Sequence, residues 1–185
     1  MRKEEGITLV ELIVVIAIIG ILVVALGFSF EGWMGKYNVE NQMKEMYSDL
    51  INTRANAMSR TRVHCVTLAV NQYTIREDRD PVPDGDGDCA DAGDTATLTK
   101  TLSANYPIAT DITGNIMLFS TKGLIAENNI NTLITNNPRA ICSNTGFDAD
   151  YNCIVMSTST SINLGRLTTL MTGGGACNAA NCVAR

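Results

Sequence analysis

The sequence contains very few of the residues that usually carry catalysis. It has a single histidine, His64, so any site that needs two imidazoles is excluded. No P-loop, GxSxG or HExxH motif is present, so nucleotide use must reside in partner proteins. His64 stands beside Cys65, but adjacent residues of a strand point to opposite faces, which argues against a thiol nucleophile. We therefore expect no enzyme activity.

Basic residues are also scarce. Lysine and arginine number 14 against 19 acidic residues, giving a formal net charge of -5 and a pI near 4.8. Such a chain is repelled on average by nucleic-acid phosphates. Hydrophobic residues make up 45% and charged residues 18%, which is too apolar for a disordered protein and too polar for a polytopic membrane protein. With 185 residues, the chain has room for one domain and one long appendage.

Charge is almost absent from residues 7–30, which read ITLVELIVVIAIIGILVVALGFSF and hold one charged side chain, Glu11. A membrane-spanning helix needs about 20 apolar residues, whereas the apolar part of a secretory signal peptide has only about 7 to 15. Arg2 and Lys3 precede the segment, which predicts a cytoplasmic N-terminus and places the rest of the chain outside. We therefore predict a single membrane-spanning helix.

Glu11 needs a partner, because an unpaired charge inside lipid costs about 2.5 kcal/mol or more. No lysine, arginine or histidine lies between Ile7 and Glu31, so the same helix offers none. Cutting the chain after Gly6 would create a new amino group on Ile7. Two such helices, staggered along their axes, could then pair amine with carboxylate.

The segment GITLVEL, with Gly6 before the cut and Glu11 as the fifth residue after it, resembles the class III signal of type IV pilins and type II secretion pseudopilins. The resemblance implies cleavage between Gly6 and Ile7 by prepilin peptidase and N-methylation of Ile7. It also implies assembly with other pilins or pseudopilins on an inner-membrane platform, into a fibre in the periplasm or at the cell surface. Ile7 stands where most members of this family have Phe. The alternative is a plain signal anchor that happens to contain Glu11.

The rest of the chain predicts an α+β fold, with a long N-terminal helix, transmembrane in its first half, packed on an antiparallel β-sheet head. No proline precedes Pro81, so one helix can run from Ile7 to Arg60, about 80 Å. Its second half has an apolar stripe with helical spacing: Val39, Met43, Met46, Leu50 and Ala57. Strands are predicted at 63–70, 72–77, 97–102, 115–119, 130–135, 153–159 and 161–170. The predicted organisation is a leader at 1–6, a transmembrane and assembly helix at 7–30, its amphipathic continuation at 31–61 and the head at 62–185.

Three segments of the head, LINTRANAMSRTRVHCVTL, LFSTKGLI and NLGRLTT, resemble the GspH/FimT-like minor pilins and pseudopilins. That resemblance implies a minor subunit that joins or primes a pilus or pseudopilus, the alternatives being another minor pilin or a major pilin. It also implies a second hypothesis, DNA capture through a basic Gly-Arg-x-Arg segment near the last strand. Gly165 and Arg166 match this segment, but Thr168 stands where the second Arg is expected. Only Arg166 is therefore a candidate DNA contact.

All six cysteines follow the apolar segment, on the predicted extracytoplasmic side, where disulfides are favoured. They are Cys65, Cys89, Cys142, Cys153, Cys177 and Cys182. Six cysteines allow 15 pairings, and we expect sequential ones, which are Cys65–Cys89, Cys142–Cys153 and Cys177–Cys182. A metal site is the alternative, but the cysteines are scattered, form no CxxC pair and have only His64 nearby.

An acidic segment lies between Glu77 and Asp94, with eight acidic residues against one basic residue. Asp84, Asp86 and Asp88 alternate in the way that calcium loops space their oxygen ligands. Cys89 stands where an EF-hand needs glycine and Thr95 where it needs glutamate, so an EF-hand is excluded. Two interpretations remain, a looser Ca²⁺ loop and a solvated loop, and we prefer the second. No metal or cofactor is established by the sequence.

Overall fold

The computed structural model describes residues 7–79 and 94–185, and for residues 25–29 it describes the backbone alone. The chain divides into two compact units, Met1–Gly35 and Lys36–Arg185. The predicted leader at 1–6 and the calcium candidates Asp84, Asp86 and Asp88 lie outside the described residues.

One helix, α1 (Leu9–Arg60), runs for 52 residues and confirms the predicted single helix. Its second half buries the predicted apolar stripe: Val39, Met43, Met46, Leu50 and Ala57 are each at most 1% exposed. These residues pack in one core with apolar side chains of the strands, including Val66, Met117, Ile141 and Ile154. The helical period of the apolar residues therefore determines which face of α1 the head covers.

The described residues form ten strands, β1 (His64–Ala69), β2 (Gln72–Glu77), β3 (Thr95–Thr101), β4 (Ile108–Thr110), β5 (Ile116–Phe119), β6 (Ile125–Glu127), β7 (Arg139–Ser143), β8 (Cys153–Thr158), β9 (Ser161–Leu167) and β10 (Cys182–Ala184). They belong to two five-stranded sheets rather than the one sheet predicted. The first sheet has the order β3-β2-β1-β5-β6 and the second the order β10-β9-β8-β7-β4. All the strand pairs are antiparallel.

The strand prediction is wrong at residues 130–135. Leu133 makes only an isolated bridge to Ala126, and the surrounding residues form turns. The Asn129 side chain accepts hydrogen bonds from the Asn131 amide at 2.9 Å and the Thr132 hydroxyl at 3.2 Å. This local turn competes with strand pairing, which is the usual effect of an asparagine side chain in such a position.

Two of the predicted disulfide pairings are also wrong, because the bonds are Cys142–Cys177 and Cys153–Cys182. Cys142 and Cys153 lie opposite each other on β7 and β8, but neither bonds to the other. The C-terminal segment returns to the second sheet, where β10 pairs with β9. This return brings Cys177 and Cys182 next to the buried Cys142 and Cys153. Cys65 is disulfide-bonded as well, and its predicted partner Cys89 lies outside the described residues.

Candidate processing and assembly site

The start of α1 carries the predicted processing and assembly residues. Gly6 lies outside the described residues, whereas Ile7 lies two residues before the start of the helix at Leu9 and is 76% exposed. The Glu11 amide donates a hydrogen bond to the Thr8 hydroxyl at 3.3 Å, and the Leu12 amide donates to the Thr8 carbonyl at 3.2 Å. Thr8 thus caps the helix, a role that the sequence analysis missed. The T-x-x-E pattern of residues 8–11 is the signal that could have found it.

Glu11 lies in the first turn of α1, where the backbone amides give the helix its positive end. A carboxylate there gains about 0.3 to 1 kcal/mol from the helix dipole. This gain is smaller than the cost of about 2.5 kcal/mol for a charge in lipid. Since no basic residue lies between Ile7 and Glu31, the helix itself would not make up the difference if Glu11 lay in lipid.

Residues 9–24 of α1 present apolar side chains in every direction. All large apolar residues from Leu9 to Val24 are at least 49% exposed. Because these residues are nearly consecutive, they cover the whole circumference of the helix rather than one stripe. The side chains of residues 25–29 are not described, and among the described residues no helix has an apolar stretch long enough to cross a membrane.

The candidate DNA contact, Arg166 on β9, has its guanidinium occupied by carboxylates of the head. Its Nε donates to Asp148 Oδ1 at 3.1 Å and one terminal nitrogen donates to Asp148 Oδ2, while Asp150 lies 3.7 Å away. The hydrogen bonds that Arg166 donates to Asp148 raise the pKa of Arg166, which stays charged while the carboxylate neutralises it locally. The structure gives this side chain a role in linking β9 to the loop between β7 and β8.

Gly165 and Thr168 also have roles within the head. A Cβ on Gly165 would lie 2.7 Å from the Val183 carbonyl oxygen, so glycine lets β9 and β10 approach each other. The Thr168 hydroxyl donates to Asn181 Oδ1 at 2.6 Å, next to the second disulfide. The Gly-Arg-x-Thr segment is therefore explained by contacts within the second sheet.

The other candidate reactive residues are buried and used structurally. His64 is 2% exposed, and its Nδ1 lies 3.1 Å from the Arg62 carbonyl oxygen. Cys65 is fully buried and disulfide-bonded, so it has no thiol to act as a nucleophile. Within residues 7–79 and 94–185, no group of three histidine, cysteine or acidic side chains could hold a metal ion.

Two polar clusters that the sequence did not reveal hold the head together. On the helix side, the buried Tyr73 hydroxyl donates to Asp49 Oδ2 at 2.5 Å, and Lys100 pairs with Asp49 at 3.0 Å and with Glu45 at 2.7 Å. Burial, together with the hydrogen bond to Asp49, raises the pKa of Tyr73. This cluster joins α1 to β2 and β3. It therefore orients the amphipathic half of the helix on the first sheet.

The second cluster joins the two sheets. The Arg139 guanidinium on β7 donates two hydrogen bonds of 2.6 Å to the Glu127 carboxylate on β6. Glu127 Oε2 also accepts a hydrogen bond from the Thr113 amide at 3.3 Å. Burial is the largest single influence and pushes the pKa of Glu127 upward, but the hydrogen bonds from Arg139 and Thr113, together with the charge of Arg139, lower the pKa overall.

Comparison with known proteins adds to this geometry at the N-terminus. Residues 1–27 match the protein family described as the prokaryotic N-terminal methylation motif. The matched residues include the predicted cleavage position between Gly6 and Ile7, the capping Thr8 and Glu11. A search of curated protein sequences found no significant match.

One solved structure shows the fold. The minor pseudopilin EpsH of the Vibrio cholerae type II secretion system matches with a TM-score of 0.50 and 12% identity, over 70% of this chain and 94% of that one. A second EpsH structure matches with a TM-score of 0.49 and 11% identity, over 70% and 97% of the two chains. The Pseudomonas aeruginosa type IV minor pilin FimU gives 0.49 and 12%, over 71% and 91%. The likeness to EpsH shows a pilin-like α+β fold.

Proposed function

We propose that this chain is a minor type IV pilin or pseudopilin, a structural subunit that prepilin peptidase processes and that joins or primes a fibre. The observation that carries the proposal is the combination of the methylation motif at residues 1–27 with a helix whose first half exposes apolar side chains all round. The pilin-like fold of the remaining chain supports the same function.

Before assembly, residues 7–30 span the inner membrane and the head lies outside the cytoplasm. Arg2 and Lys3 support this orientation, because basic residues stay on the cytoplasmic side. The disulfides of the head support it independently, since disulfides persist in oxidising compartments such as the bacterial periplasm. Prepilin peptidase cleaves between Gly6 and Ile7 and methylates the Ile7 amine.

Assembly follows from the charge that this cleavage creates. The Ile7 amine of one subunit pairs with the Glu11 carboxylate of a neighbouring pilin or pseudopilin, while their apolar helices pack on each other. The pairing is supported by the absence of any basic residue between Ile7 and Glu31. This pairing sets the axial register of neighbouring helices, because the Ile7 amine and the Glu11 carboxylate occupy fixed positions near the start of each helix.

Substitution of Glu11 tests the proposal in a strain that makes the fibre. The Glu11→Ala variant is expected to be cleaved normally but to be depleted at least about tenfold from sheared fibres, since an amine would be left without its carboxylate in lipid. Glu31→Ala, which removes the next acidic residue along the helix, is the matched control and is expected to enter fibres normally. Equal incorporation of Glu11→Ala and the native chain would contradict the pairing.

The alternative of DNA capture finds no supporting observation. Arg166, its candidate contact, is bound to Asp148 and lies near Asp150. Phosphate contacts dominate affinity for nucleic acid, and the net charge of -5 works against them. We therefore propose the structural role alone.

A further inference from the structure

Two large aromatic side chains stand exposed where the apolar segment ends. Phe30 is 58% exposed and Trp33 is 61% exposed, and both lie in the first compact unit. They are three residues apart, which places them on one face of α1, and their ring centroids are 6.2 Å apart. The two rings therefore form one aromatic patch, next to Glu31, the first charged residue after Glu11.

The position of this patch along the helix is informative. If Ile7 lies at the inner edge of the hydrocarbon, a core about 30 Å thick ends about 20 residues later, near residue 27. The outer headgroup layer adds about 5 to 7 Å, and a helix tilt of about 20° lengthens the path slightly. Phe30 and Trp33 then fall at about the depth of the outer headgroups.

The chemistry of the patch fits the same layer. An indole ring combines an apolar body with one N–H donor, and such rings concentrate where acyl chains meet water. Lys36 follows three residues after Trp33 and brings a positive charge close to lipid phosphates. We propose that Phe30 and Trp33 anchor the outer end of the helix in the phospholipid headgroup layer before the subunit enters a fibre. This inference rests on the proposed membrane insertion of residues 7–30.

The single tryptophan of the chain makes the inference directly measurable. The full-length chain is reconstituted in vesicles of equimolar phosphatidylcholine and phosphatidylglycerol. Trp33 fluorescence is then quenched by a spin label on the headgroup, by bromine near the acyl-chain methyl end, or by aqueous iodide. Two reference chains carry Trp33→Phe with a tryptophan elsewhere. Ile18→Trp, at a position 53% exposed, reports the hydrocarbon, and Val183→Trp, at a position 52% exposed on β10, reports the water phase.

Trp33 is expected to be quenched at least about twofold more by the headgroup label than by the deep bromine, with the opposite order for Ile18→Trp. Iodide is expected to quench Val183→Trp more strongly than Trp33. If Trp33 follows Val183→Trp, or is quenched mainly by the deep bromine, while Ile18→Trp still reports the hydrocarbon, the anchor is refuted and membrane insertion stands. If Ile18→Trp is itself accessible to iodide and not to lipid quenchers, both the insertion and the anchor are refuted.

Discussion

Removing the arginine of the Glu127–Arg139 pair is expected to destabilise the head strongly. The pair connects β6 of the first sheet with β7 of the second, and its side chains are only 10% and 16% exposed. The Arg139→Met variant keeps most of the side-chain volume but leaves the Glu127 carboxylate nearly buried without its cation. Removing one partner of a buried ion pair costs about 3 to 5 kcal/mol. Because Glu127 and Arg139 keep some exposure to solvent, we expect a loss at the lower end of this range, about 3 kcal/mol.

Urea unfolding of the detergent-solubilised full chain at pH 7, followed by circular dichroism, measures this loss. The double variant Glu127→Gln with Arg139→Met is the matched control, because it removes both charges. We expect it to lose only about 1 kcal/mol, since no unpaired charge remains. A single variant no less stable than the double one would refute the reasoning that an uncompensated carboxylate causes the loss.

The same pair predicts a dependence on pH. The pKa of Glu127 is lowered from its ordinary value of 4.5, so the folded state keeps this carboxylate ionised at pH values where the unfolded chain takes up a proton. The stabilisation is therefore complete above about pH 4.5 and is lost as the pH falls further through the folded-state pKa. The difference in stability between the native chain and Glu127→Gln should shrink over that acidic range. A constant difference from pH 7 down to pH 3 would contradict the assignment.

Three further predictions concern the head. Replacing Cys153 and Cys182 together by alanine removes a disulfide between residues 29 apart in sequence and should lower the free energy of unfolding by about 3 to 4 kcal/mol. Urea titration measures this loss, and peptide mapping of the native chain should find the Cys153–Cys182 bond. Tyr73→Phe removes the hydrogen bond to Asp49 and should cost about 1.5 kcal/mol at pH 7 by the same titration. Because the folded-state pKa of Tyr73 is raised, its contribution is present below the ordinary tyrosine pKa of about 10 and declines as the pH rises above it. Gly165→Ala forces a contact of 2.7 Å with a carbonyl oxygen of β10 and should lower the melting temperature, whereas an unchanged value would contradict the close approach.

The features that the sequence predicted well are those set by local pattern. Met43 and Met46 lie on a stripe with helical period, and both are fully buried. The first hairpin was predicted because a polar turn at Asn71 separates two alternating runs, and β1 and β2 pair around it. The cap at Thr8 was equally local and could have been found from the glutamate three residues later.

The features that the sequence missed depend on distant parts of the chain. Cys142 and Cys153 are close in sequence and lie opposite each other, yet each bonds to the C-terminal segment because that segment returns along β9. The short strands β4, β6 and β10 have three residues each, too few for an alternating pattern to be recognised. The ion pair between Glu127 and Arg139 forms because the two sheets meet, and the sequence around either residue does not indicate that they pair.

The first residue of the native protein shows whether the chain is cleaved after Gly6. Mass spectrometry of the chain purified from membranes and sheared fibres is expected to find a polypeptide that begins at Ile7 and carries one methyl group on its amine. A chain that begins at Met1 in both fractions would leave Glu11 without the proposed partner and would contradict the assignment as a processed pilin or pseudopilin.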